Sequence, residues 1–393
     1  MTKRQVLVLG ASGTIGQKTI DIIRHHPELF SLAGVSVHTN TAALEKLKAE
    51  FGFKHFAVTN PAAAAAYPAP HNDLQHVITG TPADVVINGI AGAAGLPASL
   101  YALASHPVLG LANKESIVMA GDLLYAEAQK HGAAIVPVDS EHSALYHLIK
   151  AHGKANIAQL ILTASGGPFR TWSAEKLKTA CLADALKHPT WAMGPKITID
   201  SASLANKALE VIEAAILFDM PVQRITVTIH PTSVVHSLVQ LASGETYAQL
   251  SPPDMRNPIF AALTYPNLPP AYLQPLDFTQ TFDLHFEPPR TEDFPLLALG
   301  FLAAQKKAAY PIAFNAANEQ AVAAFLNNRV QFAHLADITR SVLQHDWSAA
   351  PQNLDAIMQV DRQARSYADA YINSISTQPV HTQTSQSMHK EHP

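Results

Sequence analysis

Three acidic residues in the middle of the chain could bind one metal ion together. Asp139 and Glu141 follow a strand-like run at 135–138, and in an extended segment they would point to the same side. Glu210 shares a face of a predicted helix with Asn206, four residues before it. Such an all-oxygen site suits Mg²⁺ or Mn²⁺ better than zinc. The spacing alone does not bring Glu210 next to Asp139, so surface acids or ion-pair partners are the alternative interpretation.

A glycine-rich turn at 10–16, with the sequence GASGTIG, follows a strand-like run at 6–9 and precedes a predicted helix. Glycines at such a turn let backbone N–H groups approach a pyrophosphate, and the helix N-terminus favours its negative charge. The spacing G-x-x-G-x-x-G differs from the G-x-G-x-x-G of the usual dinucleotide fingerprint, and an incidental turn is the alternative. The order of strand, turn and helix predicts a dinucleotide site.

The end of the second predicted strand indicates which dinucleotide would bind. NAD enzymes usually place Asp or Glu there, where the carboxylate accepts hydrogen bonds from the ribose 2′-OH. This chain has Ser36-Val37-His38-Thr39-Asn40 instead, with no acidic residue. An uncharged stretch with hydrogen-bond donors tolerates a 2′-phosphate better than a carboxylate would. The sequence therefore favours NADP.

Two segments offer groups that could bind an anion. One is a strand end at Ser165, where two glycines expose backbone N–H groups, although hairpins also use Gly-Gly. The other is a predicted helix start near Ser201, with Asn206 and Lys207 shortly after it. The turn at 111–116, LANKES, also places polar residues between a strand and a helix, a common position both for a site and for a helix cap.

The segment 186–196 predicts a mobile flap. Trp191 and Met193 stand beside Gly194 and proline, and the stretch shows little helical periodicity. A loop of this kind could close over a substrate and exclude water. An ordinary loop with buried aromatic side chains is the alternative interpretation.

The composition excludes several classes of protein. Hydrophobic residues make up 48% of the 393 residues, too many for a disordered chain, and 27 Lys and Arg against 31 Asp and Glu leave no basic surplus for nucleic acid. No run of about 20 apolar residues occurs and no secretory leader precedes the first strand, so we expect no membrane partner. The single cysteine, Cys181, permits no intrachain disulfide, and we expect a cytoplasmic protein.

The elements that would position these groups alternate along the first 150 residues. Short β-branched runs are separated by helix-like stretches, of which 116–130 is the clearest, with Gly132 placed to end it. This order predicts an α/β fold whose N-terminal domain, 1–150, is a doubly wound, Rossmann-like NADP domain. The predicted strands are 6–9, 32–37, 85–90, 108–111 and 134–138.

The remaining sequence predicts a central α+β catalytic domain over 151–285 and a small C-terminal α-helical bundle over 301–373. A Pro-rich stretch at 252–295 is typical of a connector, and we expect the linker itself at 286–300. The polar residues 374–393 predict a disordered tail. The predicted elements of the central domain are strands at 160–163, 226–229 and 246–250 and a helix at 204–217.

Nine short segments carry a resemblance to a known family. They are GASGTIG (10–16), LANKES (111–116), PVDSEH (137–142), SGGPFR (165–170), HPTWAMG (188–194), IDSASLANKALEVIEA (199–214), IHPTSVVHS (229–237), PDMRNPI (253–259) and NAANE (315–319). In this order they resemble the 1-deoxy-D-xylulose 5-phosphate (DXP) reductoisomerases, which are NADPH- and divalent-metal-dependent enzymes of the non-mevalonate isoprenoid pathway. The resemblance covers most of residues 1–330.

The resemblance implies metal- and substrate-binding residues. The family's metal ligands fall on Asp139, Glu141 and Glu210, for Mg²⁺ or Mn²⁺ with Co²⁺ as a further candidate. Its substrate contacts near the reacting carbons fall on Lys114 and Ser140, and a further contact, His188, lies under the flap. The remaining implied substrate residues are Ser165, Ser201, Asn206 and Lys207 for the phosphate, with Trp191 and Met193 on the flap.

The resemblance also implies the cofactor, the reaction and the assembly. A ketose phosphate would rearrange its carbon skeleton and accept hydride from NADPH, and both a retro-aldol/aldol sequence and a direct α-ketol shift are compatible with these residue types. The family is homodimeric, so we expect a homodimer. The implied NADPH contacts are Ser12, Gly13, Thr14, Ile15, His38, Thr39, Asn40, Asn113, Glu115 and Gly194.

A different class of enzyme is the alternative function. A semialdehyde-type NADP-dependent dehydrogenase also joins a nucleotide domain to an α+β catalytic domain, but it needs a nucleophilic cysteine. Cys181 is the sole candidate, and the residues around it resemble a helix without Ser, Asn or Gly partners. The sequence therefore favours the reductoisomerase.

Overall fold

A parallel six-stranded sheet forms the centre of the N-terminal domain in the computed structural model, which describes residues 3–67, 73–267 and 273–376. Its strands are β1 (Arg4–Leu9), β2 (Phe30–Val37), β3 (His55–Val58), β4 (Val85–Asn88), β5 (Val108–Leu111) and β6 (Ala134–Pro137). The strand order β3-β2-β1-β4-β5-β6 is that of a doubly wound dinucleotide-binding sheet. The predicted α/β fold is confirmed.

Helices cover both faces of this sheet, as its fully buried strands require. They are α1 (Thr14–His25), α2 (Thr41–Phe51), α3 (Pro61–Ala66), α4 (Leu74–Gly80), α5 (Gly95–Ser105) and α6 (Lys114–His131). The next helix, α7 (Ser140–His152), follows β6 and packs mainly against the sheet of the central domain. The predicted end of α6 is confirmed, because Gly132 adopts φ +64° and caps the helix.

Two glycines shape the turn between β1 and α1. Gly10 adopts φ +76°, and a Cβ at this position would lie 2.9 Å from the carbonyl oxygen of Gly89. A Cβ at Gly16 would overlap the backbone of Gly10 and Ala11. Larger residues would therefore push α1 away from β1, and the glycines keep its N-terminus open to a ligand.

The predicted extended conformation after β6 is wrong. Asp139 is the N-cap of α7 and accepts a hydrogen bond from the backbone N–H of Glu141, which lies in the first helical turn. The alternation argument therefore does not apply to these two side chains. An acidic cap satisfies free N–H groups at the helix start, and this gain outweighs continuation of the strand.

The central domain contains a mixed four-stranded sheet with the order β10-β9-β7-β8. Its elements are strands β7 (Ile157–Ala164), β8 (Ile225–Ile229), β9 (Val235–Leu241) and β10 (Thr246–Leu250) and helices α8 (Ala174–Leu177), α9 (Leu182–Ala185), α10 (Pro195–Ala202) and α11 (Ala205–Leu217). β7 pairs with β8 in parallel and with β9 in antiparallel orientation. The sequence did not predict β9.

The Pro-rich stretch contains a helix that returns to the N-terminal domain, so the prediction of a connector over all of 252–295 is wrong. Helix α12 (Arg256–Thr264) buries Ile259, Phe260 and Leu263 against side chains of β1 and α1. Burial of each such side chain contributes about 1.5–3 kcal/mol. The guanidinium of Arg4 also donates to the carbonyl oxygen of Leu263 at 2.8 Å.

Four helices complete the described chain. They are α13 (Pro295–Lys306), α14 (Tyr310–Leu326), α15 (His334–Leu343) and α16 (Leu354–Ser376). α13 begins inside the predicted linker, and α16 extends three residues into the predicted tail, of which 377–393 lie outside the described residues. Among the residues described, no helix is both long and apolar enough to cross a membrane.

Candidate active site

A cleft of about 720 Å³ opens where β1, β4, β5 and β6 end, facing the central domain. Ligands of open α/β sheets bind at this edge, because the carboxyl ends of parallel strands meet there. All the predicted site residues line the cleft except His38, Thr39 and Asn40. The lining residues among them are Ser12, Gly13, Thr14, Ile15, Asn113, Lys114, Glu115, Asp139, Ser140, Glu141, Ser165, His188, Trp191, Met193, Gly194, Ser201, Asn206, Lys207 and Glu210.

The three residues outside the cleft follow β2. This strand is the neighbour of β1, so its carboxyl end lies beside the glycine turn. His38 Nδ1 lies 2.9 Å from Thr59 Oγ1, and the side chain of Asn40 caps α2. Contacts of His38, Thr39 and Asn40 with the adenosine end of a dinucleotide stay a prediction.

Three carboxylates from two separate helices converge in the cleft. Asp139 and Glu141 come from the start of α7, and the fully buried Glu210 comes from the middle of α11. One oxygen atom of each lies within 4.8 Å of the others. The fold thus creates the approach between α7 and α11 that the spacing alone did not predict.

Two buried lysines lie against these acids. Lys114 Nζ is 2.6 Å from Asp139 Oδ2 and 2.9 Å from Glu210 Oε1. Lys207 Nζ is 2.6 Å from Glu141 Oε1 and also pairs with Glu210. Two ammonium groups therefore face three carboxyl groups at the centre of the cleft.

The excess of carboxyl groups over ammonium groups affects the pKa values of the acids. Burial and the carboxylate of Glu210 raise the pKa of Glu141 to about 7. Burial acts in the same direction at Asp139, but the ammonium of Lys114 outweighs it and holds the pKa of Asp139 well below its usual range. A divalent cation among the acids would favour the charged form of Glu141.

The four residues predicted to bind the substrate phosphate form two separate pairs in this structure. Ser165 and Ser201 lie on either side of His188, whose Nε2 is 2.9 Å from Ser165 Oγ and 3.1 Å from Ser201 Oγ. Asn206 and Lys207 instead contact the three acids, since Asn206 Nδ2 donates to Glu210 Oε1 at 2.5 Å and Lys207 Nζ donates to Glu141 Oε1 at 2.6 Å. The two halves nevertheless line one cleft.

His188 also binds the start of the flap. Its Nδ1 accepts hydrogen bonds from the backbone N–H groups of Thr190 and Trp191 at 3.1 and 2.9 Å, which assigns the proton to Nε2. Burial lowers the pKa of His188 to about 4, so the ring is neutral at pH 7. It can therefore donate from Nε2 into the region between Ser165 and Ser201.

Two residues that the sequence analysis did not identify, His142 and Glu213, lie next to the acid cluster formed by Asp139, Glu141 and Glu210. His142 Nδ1 lies 3.1 Å from Asp139 Oδ1 and 3.3 Å from Glu213 Oε2. Burial opposes a charge on His142, but Glu213 and Asp139 outweigh it and raise its pKa to about 9. The sequence could have indicated that His142 lies next to Asp139, because residues three positions apart share a helix face.

Protein-family models match most of the chain. The model described as 1-deoxy-D-xylulose 5-phosphate reductoisomerase matches residues 6–121, its C-terminal domain model matches 135–218, and the DXP reductoisomerase C-terminal domain model matches 250–367. The DXP reductoisomerase of Treponema denticola is 52% identical over 95% of this chain and 98% of its own. The chain belongs to the DXP reductoisomerase family. The enzyme of Treponema pallidum is also 52% identical, over 94% of this chain and 97% of its own.

Solved DXP reductoisomerases share the fold. One in complex with NADPH, fosmidomycin and magnesium has a TM-score of 0.88 and 36% identity, covering 95% of this chain and 99% of its own. The Zymomonas mobilis enzyme in complex with NADPH has a TM-score of 0.86 and 35% identity, covering 95% and 100%. The family predicted from the motifs is confirmed. Cys181, the nucleophile required by the dehydrogenase alternative, is exposed and does not line the cleft.

Proposed function

We propose that this DXP reductoisomerase uses the cleft to convert 1-deoxy-D-xylulose 5-phosphate to 2-C-methyl-D-erythritol 4-phosphate with NADPH, in the non-mevalonate isoprenoid pathway. The observation that carries the assignment of the site is the convergence of Asp139, Glu141 and Glu210 beside the glycine turn within one cleft. Family membership supplies the reaction.

The acid cluster fits a divalent cation. Its donors are carboxylate oxygens from Asp139, Glu141 and Glu210, and one oxygen of each lies within 4.8 Å of the others. Burial, and after it the carboxylate of Glu210, raises the pKa of Glu141, and a cation at this place would offset both effects. When bound there, Mg²⁺ or Mn²⁺ would polarise the ketone of the substrate and stabilise negative charge on its oxygens. Lys114 adds a positive charge at the same place, because its ammonium lies between Asp139 and Glu210.

The glycine turn fits NADPH. The absence of side chains at Gly10 and Gly16 leaves the α1 N-terminus free for a pyrophosphate, and Ser12 to Ile15 line the cleft there. Asn113 and Glu115 lie across the cleft at the start of α6. NADPH would supply the hydride, and these residues would hold it in the cleft that the acid cluster also lines.

The far end of the cleft suits the phosphate of the substrate. Ser165, Ser201 and the Nε2–H of neutral His188 offer hydrogen-bond donors without a fixed charge. Because His188 also holds the N–H groups of Thr190 and Trp191, phosphate binding and flap position share one side chain. Binding energy at this remote group can then serve to close the flap over the reacting carbons.

Turnover with the two nicotinamide cofactors tests the proposed function. The purified protein with Mg²⁺ and 1-deoxy-D-xylulose 5-phosphate should oxidise NADPH, and NADH should give a kcat/KM lower by at least about tenfold, since the end of β2 has no acid to bind a free ribose 2′-OH. Loss of NADPH absorbance gives the rates. Equal use of NADH would contradict the NADP assignment, and no turnover with either cofactor would contradict the function.

We propose that the enzyme is a homodimer that associates through the central sheet. Among the described residues, β10 is an edge strand of this sheet, and Tyr247 on it is exposed. Large hydrophobic side chains are also exposed in the segment from Phe278 to Phe286. Exposed apolar groups of this kind mark interaction surfaces. A monomeric mass in light scattering would contradict the proposal.

We also propose the predicted division into domains at 1–150, 151–285 and 301–373, with the linker at 286–300, amended in two respects. Helix α13 begins at Pro295, so the helical domain starts there and the linker is limited to 286–294. Helix α12 belongs by its packing to the N-terminal domain, although it lies within the second range of the sequence. Limited proteolysis would test this division, which predicts cleavage in the linker before cleavage in α12.

A further inference from the structure

The described C-terminal helices contain none of the residues to which the proposed function assigns a role. Among the described residues, none beyond Met255 lines the cleft. Helix α14 nevertheless packs against α10, the helix that follows the flap and carries Ser201. The segment NAANE at 315–319 lies on α14, and Asn315 and Asn318 in it are fully buried. Buried amide groups at a helix–helix contact need hydrogen-bond partners. The partner of Asn318 belongs to a series of contacts that reaches the cleft.

The first link runs from α14 to α10. Asn318 Nδ2 donates to Asp200 Oδ1 at 2.8 Å, and both side chains are almost completely buried. The other oxygen of Asp200 lies 2.8 Å from Lys196 Nζ, one helical turn earlier on α10. Asn318 therefore fixes the direction in which Asp200 holds the lysine.

The second link runs from α10 to the cofactor side of the cleft. Lys196 Nζ also lies 2.8 Å from Glu115 Oε1, and the other oxygen of Glu115 accepts from Asn113 Nδ2 at 3.1 Å. Burial opposes the charge of Lys196, but Asp200 and Glu115 outweigh it and raise its pKa. Lys196, Glu115 and Asn113 all line the cleft, so the chain of contacts ends where NADPH is proposed to bind.

A third link joins α14 to the same region from the other side. Glu319 accepts a hydrogen bond from the backbone N–H of Ala93 at 3.0 Å and pairs with Arg365 of α16 at 2.6 Å. Asn113 donates to the carbonyl oxygen of Gly92 at 2.8 Å, in the same loop. The contacts thus form a closed ring from α14 through α10, α6 and the loop after β4, back to α14.

We propose that Asn318 and Asp200 are positioning residues for hydride transfer. Acting through Lys196, they hold Glu115 and the N-terminal end of α10 in a fixed relative position. The C-terminal helices therefore set the geometry of the cofactor site without contacting the cofactor. This inference rests on the proposed function of the cleft. It gives Lys196 a specific task, which is to bridge α10 and Glu115 at the start of α6.

The test is a double-mutant cycle with Asn318→Ala and Lys196→Met. Each single variant is expected to lower kcat/KM for NADPH by about tenfold, because each removes a hydrogen bond to a charged group, while the KM for the ketose phosphate stays within about twofold. The double variant should lose no more than about twofold beyond Lys196→Met, since both changes break the same chain of contacts. Lys196→Arg keeps both ion pairs and should restore most of the activity.

Gln320→Ala is the matched control. Gln320 lies on the same helix and donates to Asp369 of α16 at 2.9 Å, outside the ring. This variant should leave kcat/KM for NADPH within about twofold and should add to Lys196→Met without coupling. If Asn318→Ala does not fold, Asp200→Asn replaces it in the cycle, because it keeps the side-chain shape and removes the charge facing Lys196.

Two results would overturn the inference. One is a further full tenfold loss in the double variant, which would show independent effects. The other is an equal loss in the affinities for NADPH and for the ketose phosphate, which would show a general structural defect. Wild-type turnover is measured alongside, so failure of the proposed function would appear separately as an inactive wild-type protein.

Discussion

Glu210→Gln is expected to lower kcat by about a thousandfold while the Kd for NADPH stays within about twofold. The substitution keeps the shape of the side chain and removes one negative charge from the acid cluster, where Glu210 faces both Lys114 and Lys207. Charge stabilisation by a bound metal is worth several kcal/mol, and about 4 kcal/mol corresponds to a thousandfold. Steady-state kinetics and NADPH fluorescence titration give the two quantities.

Glu127→Gln is the control for this prediction. Glu127 lies on α6, pairs with Lys130 and does not line the cleft, so its substitution should leave kcat within about twofold. Titration with Mn²⁺ should show a weaker metal affinity for Glu210→Gln only. A kcat near the wild-type value for Glu210→Gln would remove Glu210 from the set of metal ligands.

Removal of divalent metal is expected to abolish turnover completely. Protein dialysed against a chelator should regain full kcat on addition of Mg²⁺ or Mn²⁺, because the all-oxygen donor set of Asp139, Glu141 and Glu210 suits these ions. NADPH should still bind to the metal-free protein, since none of the three acids belongs to the glycine turn that would hold its pyrophosphate. Turnover that persists after complete chelation would contradict the metal-dependent mechanism.

Cys181→Ser separates this mechanism from the dehydrogenase alternative. The thiol of Cys181 is exposed at the start of α9 and lies 3.0 Å from Asp184 Oδ2. Its substitution should change kcat by less than about twofold, whereas a cysteine dehydrogenase would lose its nucleophile. Alkylation of the wild-type thiol should give the same result.

The strands that could be predicted from the sequence are those in which consecutive apolar residues indicate burial. β1, β4 and β5 are short apolar runs covered on both faces, and such runs read as parallel strands without tertiary information. β3 begins with a histidine and is only half-buried, and β9 buries His236 and Ser237 among its apolar side chains, so neither shows a simple pattern. α12 was missed because its apolar face packs against a domain distant in sequence.

The candidate site was predictable from its motifs but not in its geometry. The sequence placed Asp139 and Glu141 at the correct edge of the sheet, although Asp139 caps α7 and Glu141 lies in its first turn, so the two do not form an extended segment. The approach of Glu210 depends on how α11 packs against α6, which local spacing does not encode. The pairing of Asn318 with Asp200 joins residues 118 positions apart and was invisible for the same reason.

The return of α12 to the N-terminal domain has a consequence for biosynthesis. Domains usually fold as units while the ribosome is still extending the chain, at about 5–20 residues per second. Here the last sheet strand ends at Pro137, but Phe260 and Leu263, which seal the same core, emerge about 120 residues later. The nascent sheet therefore exposes an apolar face for roughly 6–25 s of translation at that rate. During this interval the growing chain is a substrate for chaperones, and its final closure waits for the central domain to be made.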